Sequence, residues 1–98
     1  MAQLRWTPQA ADDLESITEF IAADSPHYAS LFAISIITAV ERLESFPELG
    51  RSVPELSDPK IRELLLGNYR IIYRVNARLI EILTIYHGSR LLDPSKLK

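Results

Sequence analysis

Cation and proton chemistry in this chain rests on a few side chains. His87 is the best-placed proton carrier, and Arg70 and Arg90 lie before and after it. Two guanidinium groups brought together can clamp a phosphate through paired, charge-assisted hydrogen bonds. RNA cleavage through the 2′-hydroxyl would need a base for that proton, an acid for the leaving 5′-oxygen, and cations around the pentacoordinate phosphate. Each candidate also has a structural reading. His87 is then a strand-end histidine bonded to backbone. Arg62, Arg70 and Arg74 are then exposed sheet positions paired with Glu63, Glu81 or Glu55, pairs that contribute little. Tyr69 and Tyr73 read as core residues whose hydroxyls reach an edge.

Other chemistries lack their residues. There is no cysteine, which removes disulfides, thiolate zinc sites and a thiol nucleophile. His27 and His87 are isolated, no carboxylate cluster has metal-ligand spacing, and no glycine-rich phosphate loop exists, so no metal or cofactor is expected. The formal net charge is −2 and the pI about 5.6. Proteins that live by gripping nucleic acid are usually basic, because affinity comes from neutralising phosphates. The 98 residues suit one domain, 1–98. The amino terminus has no apolar signal core, and no apolar run is long enough to cross a bilayer. With no cysteine, this fits a cytoplasmic protein.

The elements that must position these residues divide by period. Gln3 to Trp6 is a short strand candidate. Thr7-Pro8 is a helix start, with Thr7 as cap and Pro8 where its missing N–H costs nothing. Ala10, Leu14, Ile17 and Ile21 follow at helical spacing to about Asp24, with Asp12 and Asp13 near the positive end of the helix dipole. Ser25-Pro26 repeats the start, and Phe32, Ile36, Val40 and Leu43 carry a second helix to about Ser45. The short link predicts an antiparallel helical hairpin. Phe46 to Leu56 reads as a loop and Asp58-Pro59 as a turn. Ile61–Leu66, Tyr69–Val75 and Leu79–Tyr86 read as strands joined by the turns Gly67-Asn68 and Asn76-Ala77, hence an antiparallel meander. Strict alternation puts Tyr69, Ile71, Tyr73 and Val75 on one face and Arg70, Ile72 and Arg74 on the other. It likewise groups Ile80, Ile82, Thr84 and Tyr86 against Glu81, Leu83, Ile85 and His87. Both faces are largely apolar, so helices should cover one and a partner is a candidate cover for the other.

Particular stretches carry a resemblance. Trp6 to Leu14, Phe46-Pro47-Glu48-Leu49-Gly50-Arg51, Ile61-Arg62-Glu63-Leu64, Tyr69 to Val75, and Ile85-Tyr86-His87-Gly88-Ser89-Arg90 stand in the order found in the RelE/ParE superfamily. The chain is similar to its ParE branch over nearly its whole length. The resemblance implies an α+β fold, β-α-α-β-β-β, with an antiparallel sheet packed against the hairpin. It also implies the toxin of a type II toxin–antitoxin system, of the plasmid-stabilisation kind. Such toxins either poison DNA gyrase through a protein contact (ParE-like) or cut mRNA on the ribosome (RelE-like). Both are neutralised by a cognate antitoxin, in assemblies that allow a toxin dimer within a toxin–antitoxin hetero-oligomer.

By this resemblance Arg70 matches the arginine of the second meander strand, and Arg90 the one after the last strand. A nuclease would use Arg70, His87 and Arg90. Glu63 stands where that chemistry would want a positive charge, and Leu91 to Lys98 offers no Tyr or His as an acid or base. A net-negative chain also suits the phosphate-dense ribosome poorly. The favoured expectation is therefore a gyrase inhibitor without catalysis, with Arg90, Arg70 and Arg62 as target-binding residues and no membrane role. The alternatives are a ribosome-dependent endoribonuclease and a non-toxic relic that still binds antitoxin.

Overall fold

The computed structural model describes residues 2–88 and Leu97. Strand β1 (Gln3–Trp6) leads into helices α1 (Pro8–Asp24) and α2 (Pro26–Glu41), a 3-10 turn (Arg42–Glu44), and strands β2 (Arg51–Ser52), β3 (Ile61–Leu66), β4 (Tyr69–Asn76) and β5 (Leu79–His87). This is the expected α+β order, with one addition. Arg51 and Ser52 leave the predicted loop to pair with Glu63 and Arg62. The sheet order is β1-β5-β4-β3-β2. The meander is antiparallel, while β1 lies parallel to β5 at the edge.

Both helices start as their residues dictate. The Thr7 hydroxyl accepts from the Ala10 amide at 3.2 Å and the Ser25 hydroxyl from the Tyr28 amide at 3.2 Å, each ahead of a first-turn proline. Ser25 also donates its amide to the Ile21 carbonyl at 2.9 Å. One residue thus ends α1 and begins α2, which forces the hairpin. The second helix is regular only to Glu41 and tightens into the 3-10 turn, rather than running on to Ser45.

The main core lies between hairpin and sheet, where Ile36, Val40 and Leu43 meet Ile71, Tyr73, Ile80, Ile82 and Ile85. A second, smaller core covers the other sheet face. There Val53, Ile61, Ile72, Leu83 and Leu97 come together, with Leu56 and Tyr86 against them. Much of the cover expected from a partner is therefore supplied by the chain itself.

Strict alternation fails in β5. Tyr73 pairs with Ile82 and Ile72 with Thr84, so Leu83 is an extra residue, a β-bulge. Beyond it Ile85 joins the main core, and Tyr86 packs on the outer face with Leu83. The grouping of Thr84 and Tyr86 with Ile82, and of Ile85 with Leu83, is corrected accordingly. A bulge shifts every later side chain by one step of the pleat.

Candidate functional site

On the outer face, β3 and β4 bring a buried carboxylate to a buried guanidinium. Arg70 is only 7% exposed. Its Nε donates to Glu63 Oε1 at 2.6 Å, and its Nη1 and Nη2 donate to the two oxygens of Glu55 at 2.8 and 2.7 Å. The Glu63 side chain is fully buried, and its other oxygen accepts from Arg51 Nε at 2.6 Å. The Tyr86 ring lies beneath Arg70, 5.2 Å from its guanidinium carbon. Arg70 is therefore not the exposed sheet position its alternation suggested. The bidentate bond to Glu55 raises its pKa well above the ordinary arginine value, against the lowering effect of burial. Glu63, at the position where cleavage chemistry would want a cation, is the buried counter-ion that holds two arginines.

The other sequence candidates are scattered. Arg62 donates from Nη1 to the Gly50 carbonyl at 2.8 Å. Arg74 donates to the Leu97 carbonyl at 3.1 Å and approaches Glu81 at 3.5 Å. Glu81 also takes a salt bridge from Arg5. His87 pairs with Tyr69 across the β4–β5 hairpin, ring edge to face with centroids 5.5 Å apart, and Tyr69 in turn packs on Phe32 of α2. Successive residues of a strand point to opposite faces. Tyr69 and His87 therefore lie on the helix side, and Arg70 and Tyr86 on the outer side. Arg70 and His87 both line an open cleft of about 300 Å³ at the end of the sheet, by the Gly67-Asn68 turn. Arg90 lies outside the described residues.

A larger open groove, about 510 Å³, runs between α1 and the end of β5, lined by Ser16, Ile17, Phe20, Tyr69, Tyr86 and His87. Phe20 is 75% exposed at its rim. The Tyr86 hydroxyl is buried without a hydrogen-bond partner among the described residues, and burial raises its pKa, partly opposed by Arg70. No group of three or more His, Cys, Asp or Glu fit to hold a metal ion occurs among the described residues, and no described helix is long and apolar enough to cross a membrane.

Two further residues hold the frame of the site, one with a role the sequence did not suggest and one with partners it did not name. Asp13, read as a helix-dipole residue, accepts from the Thr84 hydroxyl and from the Ile85 amide at 3.0 Å. It satisfies β5 where β1 has ended and the bulge has broken the ladder. Tyr73 is core, as expected, and its hydroxyl is a clasp. It donates to the Pro47 carbonyl at 2.8 Å and accepts from the Gly50 amide at 2.8 Å, and burial raises its pKa. A Cβ at Gly50 would sit 2.5 Å from the Glu63 carbonyl oxygen and 2.7 Å from the Tyr73 hydroxyl, so only glycine fits there.

Residues 4–92 match the family described as the ParE toxin of the type II toxin–antitoxin system parDE. The chain is 38% identical over 92 residues to a protein named Toxin RelE2 of Caulobacter vibrioides, covering 93% of this chain and all of that one. Its fold is similar to a solved structure of a chromosomal ParDE system from P. aeruginosa, with a TM-score of 0.73 and 29% identity over 89% of this chain and 96% of that one. It shares its fold with a chain of the RelBE2 toxin–antitoxin complex from Mycobacterium tuberculosis, with a TM-score of 0.63 and 19% identity over 88% and 96% of the two chains.

Proposed function

This chain belongs to the ParE toxin family of type II toxin–antitoxin systems, and we propose that it acts on DNA gyrase through protein–protein contact, without catalysis of its own. One observation carries this reading. Arg70, the sheet arginine a nuclease would use, is spent inside the protein on Glu63 and Glu55. A guanidinium already holding two carboxylates must give one up before it can clamp a phosphate, and the buried Glu63 would then lose a counter-charge. Arg70 and His87 leave the sheet from opposite faces and meet at the open cleft by the Gly67-Asn68 turn that both line, so a nuclease would have to work there with an arginine already held by two carboxylates.

A cognate antitoxin follows from the family as the partner in a cytoplasmic pair. The groove between α1 and β5, with Phe20 at its rim, supports that site as the place where an antitoxin segment docks. The target contact is assigned to the helical hairpin together with Arg62 and the carboxyl-terminal stretch that carries Arg90.

The test is a gyrase supercoiling assay with the toxin freed of its antitoxin, scored for linear DNA after detergent and protease treatment. Accumulated linear DNA is the expected result. Unaffected gyrase, together with cleavage of translated mRNA by the same folded preparation, would replace this reading with the ribosome-dependent one.

A further inference from the structure

The groove between α1 and the end of β5 has two walls of different chemistry. Ile17, Tyr69, Ile85 and Tyr86 give it an apolar lining, and Phe20 stands 75% exposed at its rim. The helix that forms the other wall is acidic. From Pro8 to Glu41 the hairpin carries Asp12, Asp13, Glu15, Glu19, Asp24 and Glu41 and neither Lys nor Arg, a charge of −6 in a chain of −2. The rest of the chain is therefore net positive. The excess of negative charge is local to the hairpin.

The helical pitch decides which of these carboxylates border the groove. Residues three or four apart lie on one side of a helix. Ser16 and Phe20 line the groove. Asp12 stands four residues before Ser16, Glu19 three after it, and Asp24 four after Phe20. All three are exposed, and none makes an ion pair among the described residues. At 1.5 Å per residue they border the groove over about 18 Å. Asp13 is not available with them, because Thr84 and the Ile85 amide hold it. Arg70, the arginine nearest the strand wall along the chain, is already matched by Glu63 and Glu55.

An apolar groove bordered by unmatched charge selects its occupant by sign as well as by fit. We infer that the antitoxin segment docking here is cationic: an apolar side chain covers Phe20 and Ile17, and Lys or Arg side chains flank it along α1. The inference rests on the antitoxin reading of this groove and adds what the segment carries. Lys and Arg suit the place twice over. Their stems cover apolar surface beside Phe20 while their charged ends stay in water near the carboxylates. An acidic segment would bring like charges to Asp12, Glu19 and Asp24, which is unfavourable.

The test is the affinity of the full chain for its cognate antitoxin. Phe20→Ala reports whether the groove is occupied, and should raise the Kd at least about tenfold. The neutral triple variant Asp12→Asn, Glu19→Gln, Asp24→Asn should raise it about fivefold at about 0.1 M salt, and Lys at all three positions about fiftyfold. At about 1 M salt, where the screening length falls to about 3 Å, the charge effects should largely vanish and the Phe20 effect remain. Thermal melts of the free variants check that each is folded. If Phe20→Ala weakens the complex while the charge variants leave it unchanged or tighten it, the groove holds the antitoxin and the cationic assignment is overturned. If folded Phe20→Ala binds as the parent does, the antitoxin docks elsewhere and the inference falls with the reading beneath it. Charge variants that keep antitoxin affinity but lose toxicity would also overturn it, and would give the acidic wall to the target.

Discussion

The Arg70 guanidinium carbon lies 5.2 Å from the centroid of the Tyr86 ring, on the sheet face away from the helices. The bulge at Leu83 makes this possible, because it turns Tyr86 outward and His87 inward. A cation that sequence reasoning offers to a phosphate is held instead by two carboxylates and an aromatic face.

Arg70→Ala should therefore cost stability before it costs anything else. It leaves the fully buried Glu63 with Arg51 alone. Breaking a buried pair by removing one partner typically costs about 3–5 kcal/mol. Denaturant unfolding checks this. The double variant Arg70→Met with Glu63→Met should recover much of the loss, because no buried charge is then left unpaired. A single variant as stable as the parent would refute the structural role.

Tyr86→Phe removes a buried hydroxyl that has no partner among the described residues. Such a change should be neutral or stabilising by up to about 1 kcal/mol at pH 7. The alkaline limb of stability should also change. The folded pKa of Tyr86 is raised by burial, so its contribution is complete below the unfolded tyrosine value of about 10 and is lost as pH rises through the folded value. Thermal melts at increasing pH should show the variant falling less steeply above about pH 10.

Tyr73→Phe should unpair the Pro47 carbonyl and the Gly50 amide together. We expect a loss of about 1–3 kcal/mol, and faster amide exchange at Gly50. Gly50→Ala should be at least as damaging, because the Cβ meets backbone rather than a movable side chain.

Asp13→Ala should leave the Ile85 amide and the Thr84 hydroxyl without their acceptor. The expected cost is again about 1–3 kcal/mol. Proteolysis of the β5 end should quicken if the carboxylate substitutes for missing ladder bonds, and stay unchanged if solvent already served them.

His87→Ala separates the two target readings inside a cell. Its ring packs on Tyr69. Growth arrest on expression without the antitoxin should persist when this variant is folded. Lost toxicity in a folded variant would favour the nuclease.

The order of elements was legible in the sequence because its signals are local. Thr7-Pro8 and Ser25-Pro26 start helices through the next turn of backbone, and Gly67-Asn68 and Asn76-Ala77 close hairpins within two residues. Even the pairing of Arg70 with glutamates was among the readings open to the sequence. Burial was not, because it depends on what the loop through Val53 and Leu56 and the distant Leu97 place over the outer face. The bulge at Leu83 was not legible either. An inserted residue looks like any other apolar residue in a strand, and it shows only when the partner strand counts one fewer. That single residue decides which face receives Tyr86 and which receives His87, and so separates the proton carrier from the arginine. Local signals carried the family resemblance and every strand and helix but β2, whose two residues read as loop until β3 pairs with them. Tertiary pairing decided which of its charged groups meet one another, because those contacts join residues distant along the chain.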